Sequence, residues 1–298
     1  MIPNLSSGPQ LEVGMRVGRY TLVAPLGRGG MGGVWEVEND EGQRFALKSP
    51  MSGMVSQSDA AKRFAREANA LAMLDHPNLV SAVEVFVEAG SLFLVMEKVT
   101  GVTLTKTLLQ GPIAARRALV LGRQMLDGIG HAHAHGLVHR DLKPDNIMLV
   151  DMGGWDRAKI VDFGVVKLIG DAEAALGGAK LTSTGLVFGT PAYMAPEQAL
   201  GRQLDGRADL YSLATILFEM LTGRVPFDHP DPMMQMRMQV KAPPPRLDML
   251  AKREPWCTPQ LVALLDAALS KEPDQRFPDA ATMIAALDDA FLSIDHVP

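Results

Sequence analysis

Two short polar runs carry the groups best suited to chemistry: His139-Arg140-Asp141-Leu142-Lys143-Pro144-Asp145-Asn146, and then Asp162-Phe163-Gly164. Together they supply a carboxylate, an ammonium, a carboxamide and a second carboxylate on two neighbouring loops. That is the set of groups needed to move a phosphoryl group from a Mg-nucleotide to a hydroxyl.

Upstream, Gly27-Arg28-Gly29-Gly30-Met31-Gly32-Gly33-Val34 fits the spacing G-x-G-x-x-G-x-V. Glycines at these positions let backbone amides approach a polyphosphate without a Cβ clash. A dinucleotide-binding fold would open a helix after the last glycine, whereas Val34-Trp35-Glu36-Val37-Glu38 reads as a strand and Asn39-Asp40-Glu41-Gly42 as its turn. The Lys and Ser or Thr that complete a Walker-type loop do not follow these glycines. The flanking strands therefore favour a lid over ATP; an ordinary glycine-rich hairpin is the plainer alternative. Next comes Phe45-Ala46-Leu47-Lys48, an apolar strand whose alternation turns its lysine toward an interlobe cleft, where the ammonium would meet the α and β phosphates. Glu67, in Arg63-Phe64-Ala65-Arg66-Glu67-Ala68, is the natural carboxylate to hold that lysine.

These groups need elements to position them. Short β-type runs dominate up to about Met96, at 20–26, 34–38, 44–48, 80–87 and 92–97. One helix interrupts them at 59–74, with Phe64, Leu71 and Leu74 at helical spacing and Asp75-His76-Pro77-Asn78 as its stop. Beyond Gly101 the pattern turns helical, most clearly at 114–135, 208–221, 259–270 and 279–292. The expected architecture is α+β: a β-rich N-lobe over 20–96 with one major helix, a hinge at 97–101 and a mainly α-helical C-lobe over 102–292. A flexible leader (1–19) and a short tail (293–298) flank it, and residues 165–190 read as a loop. The run Met233, Met234, Met236, Met238 reads as helix packing in preference to a docking surface.

Composition narrows the field. With 298 residues and 47% hydrophobic content the chain can bury two modest cores. A formal charge of -5 and a pI near 5.8 argue against a nucleic-acid partner or an anionic membrane surface. Cys257 is the only cysteine, so an intramolecular disulfide is impossible; it reads as a core residue, and a reducing cytoplasm is the expected location. Residues 1–10 lack the pattern of a secretion signal. The apolar stretch 210–221, interrupted by Ser212 and Glu219, is too short for a membrane segment.

Taken in order, these motifs resemble those of the eukaryotic-type (Hanks-type) protein kinases, and most of all the bacterial serine/threonine members, over roughly 20–292. The resemblance implies a bilobal fold, ATP with Mg²⁺ or Mn²⁺ as cofactors, and protein substrates with Ser or Thr acceptors. It implies that Lys48 and Glu67 pair in the active arrangement, and that Asn146 and Asp162 hold the metal. Asp141 would accept the hydroxyl proton, and Lys143 would neutralise the γ-phosphate and mark Ser/Thr specificity. Around the adenine it implies walls from Leu26, Val34, Ala46 and Met148, a gatekeeper at Met96, and backbone hydrogen bonds from Glu97 and Val99. Gly189-Thr190-Pro191-Ala192-Tyr193-Met194-Ala195-Pro196-Glu197 resembles the segment that seats the acceptor, with Thr190 able to bond Asp141 or Lys143. Glu197 would pair with Arg276, Asp209 would anchor the catalytic-loop backbone, and His139 would be a packed, backbone-holding residue. Arg140, directly before the base, implies control by activation-loop phosphate. Thr182 and Thr184 are the foremost acceptors, ahead of Ser183, with self-association for autophosphorylation in trans.

Departures from that pattern are few. Gly33 stands where a larger residue is usual, which implies a looser lid, and residues 152–155 lengthen a turn. Val165 implies a preference for threonine acceptors. His131, His133 and His135 are unsuited to zinc, because residues two apart do not share a helix face. The alternative reading is a nucleotide-binding pseudokinase scaffold, against which Lys48, Asp141, Asn146 and Asp162 are all present. The peptide-seating segment disfavours a kinase of small molecules.

Overall fold

The computed structural model describes residues 11–29, 32–50, 72–88, 91–162, 190–251 and 254–295. Most of the helix expected over 59–74, with Glu67, lies outside the described residues. So do Gly30, Met31, Phe163, Gly164, Val165, Thr182, Ser183 and Thr184. The described residues form two units: one runs to His76 and resumes over Val80–Thr100, and the other takes Pro77–Leu79 and the residues from Gly101 onward.

The first unit is an antiparallel sheet of β1 (Arg16–Val17), β2 (Tyr20–Gly29), β3 (Gly32–Glu38), β4 (Arg44–Pro50), β5 (Ala82–Glu88) and β6 (Ser91–Glu97), in the order β1-β2-β3-β4-β6-β5. One face is closed by Tyr20, Leu22, Trp35, Val37, Leu47, Phe93 and Val95. The register sets Trp35 beside Leu47 and Leu47 beside Val95, so alternate residues of three strands share that core. Order begins before Tyr20, contrary to the expected leader boundary. Arg16–Val17 pairs with β2, Val17 is buried, and Leu11 packs on the same core.

The second unit carries a small antiparallel sheet of β7 (Val102–Thr103), β8 (Ile147–Asp151) and β9 (Asp156–Ile160), in that order. Its helices include α1 (Leu104–Leu108), α2 (Ala115–Ala134), α3 (Pro196–Ala199), α4 (Gly206–Thr222), α5 (Pro232–Lys241), α6 (Leu247–Leu250), α7 (Pro259–Ala268) and α8 (Ala280–Asp295). Helix α4 is buried along almost its whole length, as expected of a helix apolar on every face. It starts at Asp205, whose side chain accepts from Arg207 N, and stops at Gly223 with φ 74°. At Gly122 of α2 an added Cβ would lie 3.3 Å from Leu287 of α8 and 3.6 Å from Leu217 of α4, so glycine lets the three helices close on one another.

Residues 77–79 belong with this unit and not with the sheet unit that the 20–96 boundary implied. Asn78 Nδ2 donates to Ala158 O at 2.7 Å, and Ile160 N donates to Asn78 O at 2.8 Å, which stitches the segment onto β9. The added residues 152–155 form the β8–β9 turn, where Gly153 and Gly154 take φ of 78° and 111°. The methionine run divides: Met233 and Met234 are 45% and 40% exposed, Met236 and Met238 are half-buried, and Gln235 and Gln239 are the buried residues of α5. Cys257 is half-buried, not a core residue. Among the described residues, no helix is long and apolar enough to cross a membrane.

Candidate active site

In the first unit the register gathers candidate nucleotide contacts on the face opposite Leu47. Gly27 pairs with Val34, Val34 with Lys48, and Ala46 with Met96. Ala46 and Lys48 alternate with Leu47, so they point away from the core that Leu47 joins. Ala46 and Met96 are buried, and Leu26 is exposed. The glycine-rich strands continue in register through Arg28 with Gly33 and Gly29 with Gly32. A Cβ at Gly33 would lie 3.0 Å from Trp35 Nε1, so the indole already occupies the space of the missing side chain. A side chain at Gly33 would therefore require the Trp35 ring to shift. Glu97 N donates to Ser81 O at 3.0 Å, while Glu97 Oε1 accepts from Ser81 N at 2.7 Å. A base approaching this residue therefore meets its carbonyl, because the N–H is committed. Val99 is half-buried. Met148 belongs to the second unit, on β8 between Thr103 and Lys159.

The second unit holds Asp141, Lys143, Asn146 and Asp162. The loop before Asp141 is clamped from α4: the buried carboxylate of Asp209 accepts from His139 N at 2.8 Å and from Arg140 N at 2.9 Å. His133 Nε2 lies 2.8 Å from the same carboxylate. Arg140 O accepts from Gln198 Nε2 at 2.8 Å. Both backbone polar groups of Arg140 are thus fixed, and the residue sits at φ 65°. That left-handed conformation costs a non-glycine residue roughly 1–2 kcal/mol, so the clamp has strain to hold.

Asp141 emerges directly after this clamp. Its N–H donates to His139 Nδ1 at 3.3 Å, which leaves the His139 proton on Nε2. Burial pushes the His139 pKa down, consistent with a neutral, backbone-holding ring. Lys143 Nζ donates to Asp141 Oδ2 at 3.3 Å, and the two side chains keep 23% and 21% exposure, accessible to a substrate while paired. Asn146, in the 3-10 turn Pro144–Asn146, donates from Nδ2 to Asp141 O at 2.8 Å, and its backbone carbonyl accepts from Val161 N at 2.8 Å. It therefore ties the Asp141 loop to the residue preceding Asp162. Because Nδ2 is spent on Asp141, the carboxamide presents its oxygen on the other side. That oxygen and the Asp162 carboxylate are hard donors of the kind Mg²⁺ or Mn²⁺ takes. Asp162 also sits at φ 65°.

Beside this loop, Thr190 is exposed and precedes the 3-10 turn Pro191–Tyr193 without a side-chain cap hydrogen bond. Gln239 Nε2 donates to Pro191 O at 3.0 Å and to Ala192 O at 2.6 Å, and Ser212 Oγ donates to Tyr193 O at 2.8 Å. Tyr193 OH donates to Glu219 Oε2 at 2.7 Å. Glu197 and Arg276 form a buried bidentate pair with both N···O distances at 2.7 Å. Ser270 O, Lys271 O and Arg207 O take the remaining guanidinium protons. Sequence reasoning found Glu197, Arg276 and Asp209 but missed Gln198 and Gln239, whose amide side chains carry no periodic signal. It also treated the three histidines alike. The rings of His131 and His135, four residues apart, lie 4.6 Å from each other and tilted by 39°, while His133 turns to Asp209.

A family pattern described as the protein kinase domain matches residues 20–290. The chain belongs to the protein kinase family. Among its relatives, the serine/threonine-protein kinase Pkn1 of Myxococcus xanthus is 38% identical over 288 residues, covering 96% of this chain and 40% of that one. PrkC of Bacillus subtilis is 35% identical over 283 residues, 94% and 42% of the two chains. The kinase chain spans about two fifths of the length of these curated relatives. The solved Mycobacterium tuberculosis PknI kinase domain superposes with a TM-score of 0.72 at 26% identity, over 94% of this chain and 99% of that one. A sheet unit followed by a mainly helical unit is therefore the protein kinase fold.

Proposed function

We propose that this domain transfers the γ-phosphoryl group of ATP to serine and threonine hydroxyls of proteins, and that phosphate on its own Thr182 or Thr184 activates it. The observation that carries the reading is the Asp141 carboxylate, accessible, paired with Lys143 at 3.3 Å, and mounted on a backbone fixed at both polar groups of Arg140. A carboxylate so placed orients an acceptor hydroxyl and takes its proton as the acceptor oxygen bonds to the γ-phosphorus and the β–γ bridging bond breaks, releasing ADP. Lys143 supplies positive charge where the transferring group gains negative charge. Lys48 would pair with the α and β phosphates and Glu67 would hold it. A divalent metal held by Asn146 and Asp162 would neutralise phosphate charge there. The bacterial serine/threonine kinases among the relatives support the acceptor class, and the single cysteine supports a reducing compartment.

Intact-mass spectrometry after incubation with Mg-ATP and casein, with Asp141→Asn as control, tests the reading. The unsubstituted domain should gain phosphate on itself and on casein, and Asp141→Asn should turn over roughly 10² to 10⁴-fold more slowly, the scale of a positioned base. Nucleotide binding without transfer in the unsubstituted domain would replace this reading with the pseudokinase one.

A further inference from the structure

Lys271 lies between α7 and the 3-10 turn Pro273–Gln275, on elements that carry none of the groups assigned to phosphoryl transfer. Its Nζ sits 3.8 Å from the Phe227 ring centroid and donates to Tyr211 OH at 3.4 Å. Tyr211 OH in turn donates to Gln239 Oε1 at 2.6 Å, and Gln239 Nε2 donates to Pro191 O and Ala192 O. Tyr211 and Gln239 are fully buried. These bonds make one chain with a fixed direction. The two carbonyls at its far end only accept, so the Gln239 amide must face them with its nitrogen. The ammonium at its near end only donates, so the Tyr211 proton must point to Gln239.

We propose that Lys271 is a positioning residue for the protein acceptor: its ammonium, acting through Tyr211 and Gln239, holds the turn Pro191–Tyr193 in the form that seats a substrate chain. This rests on the phosphotransfer reading given above. Burial, aided by repulsion from the Arg276 guanidinium, lowers the Lys271 pKa to about 8. Arg276 lies over the Tyr211 ring at 4.8 Å and is itself compensated by Glu197, and burial keeps the Tyr211 phenol protonated. Loss of the lysine proton turns the near end of the chain from an obligate donor into an acceptor. The Tyr211 proton can then swing from Gln239 to the amine, and the amide loses the bond that fixes it. The seating turn loosens as pH rises through this value, while the Asp209 clamp on the catalytic loop is untouched.

The test measures KM for casein and KM for ATP from pH 6.5 to 9.5 in the unsubstituted domain, Lys271→Arg, Lys271→Met and Tyr211→Phe. Hydrogen–deuterium exchange of a peptide spanning 190–195 is read on the same samples at matched pH. In the unsubstituted domain casein KM should rise roughly fivefold across pH 8, the scale of one net hydrogen bond, with ATP KM unchanged. Lys271→Arg should abolish the rise and keep the low KM. Lys271→Met, and Tyr211→Phe should the former fold poorly, should show the high KM at every pH and faster exchange of 190–195. An alkaline rise that persists in Lys271→Arg, or exchange of 190–195 that is the same in all four proteins, overturns the proposal. Should no protein transfer phosphate, the phosphotransfer reading falls, and the exchange comparison alone decides whether Lys271 holds the turn.

Discussion

The loop 139–146, proposed as catalytic, and the turn Pro191–Tyr193, proposed to seat the acceptor, lie in one unit and are equally irregular, yet they are held by different kinds of bond. The amides of His139 and Arg140 end on a buried carboxylate, Asp209, and Arg140 is kept at φ 65°. The carbonyls of Pro191 and Ala192 end on a neutral amide, Gln239, and that of Tyr193 on a hydroxyl, Ser212. Charge-assisted hydrogen bonds are roughly twice as strong as neutral ones. The loop that would aim the Asp141 carboxylate is over-determined; the turn proposed to meet protein chains is held by weaker bonds that can readjust. Glu197 serves both, because it lies next to Gln198, which holds Arg140 O, and ends the segment that includes the turn.

The largest effect is therefore expected at Glu197. Glu197→Ala leaves the Arg276 guanidinium buried without its carboxylate, and denaturant unfolding should show a loss of about 3–5 kcal/mol. Retention of full stability would mean that the backbone carbonyls around Arg276 suffice. Asp209→Asn comes next. It keeps the shape but turns an NH₂ group toward backbone donors, at about 1–3 kcal/mol for each donor left unmet. Its kcat should fall at least about tenfold, the equivalent of 1.4 kcal/mol at the transition state, with casein KM little changed. A variant that raised casein KM and spared kcat would erase the distinction between loop and turn. At Arg140 the comparison is between two replacements. Arg140→Gly should be more stable than Arg140→Ala by about 1 kcal/mol, because only glycine takes φ 65° without strain. Equal stabilities would show that the loop relaxes when the side chain is removed.

The difference between loop and turn also marks what could be read from the sequence. The strands of the first unit were legible because Leu47 and Val95 alternate with Ala46, Lys48 and Met96, and that alternation fixes which side chains share a face. Asp209 and the Glu197–Arg276 pair were legible only through the resemblance to the kinase family, whose motifs place a charge at each of these positions. Gln198, Gln235 and Gln239 were not. A glutamine is unremarkable on a helix surface, and only the three-dimensional packing shows carbonyls within its reach. In α5 the methionines suggested the buried side; Met236 and Met238 are half-buried, but the buried positions are Gln235 and Gln239. Strand β7 is two residues long, too short to display any period.

The smallest expected effect tests the charged contact that the turn makes among the described residues, Tyr193 with Glu219. Burial, with Asp145 nearby, raises the pKa of Glu219, although the hydrogen bond from Tyr193 works in the opposite direction. A carboxyl whose folded-state pKa lies above its unfolded value binds a proton more readily when folded. Its contribution to stability is full below the unfolded value, about 4.3, and is lost as pH rises through the folded one. Glu219→Gln removes this titration and keeps an oxygen to accept from Tyr193 OH. The Tm difference between Glu219→Gln and the unsubstituted domain should therefore shift in favour of the variant as pH goes from acid to neutral. A difference that stays flat over that range would mean the ionised carboxylate is fully compensated where it lies, and the turn would then be held by charge as the loop is.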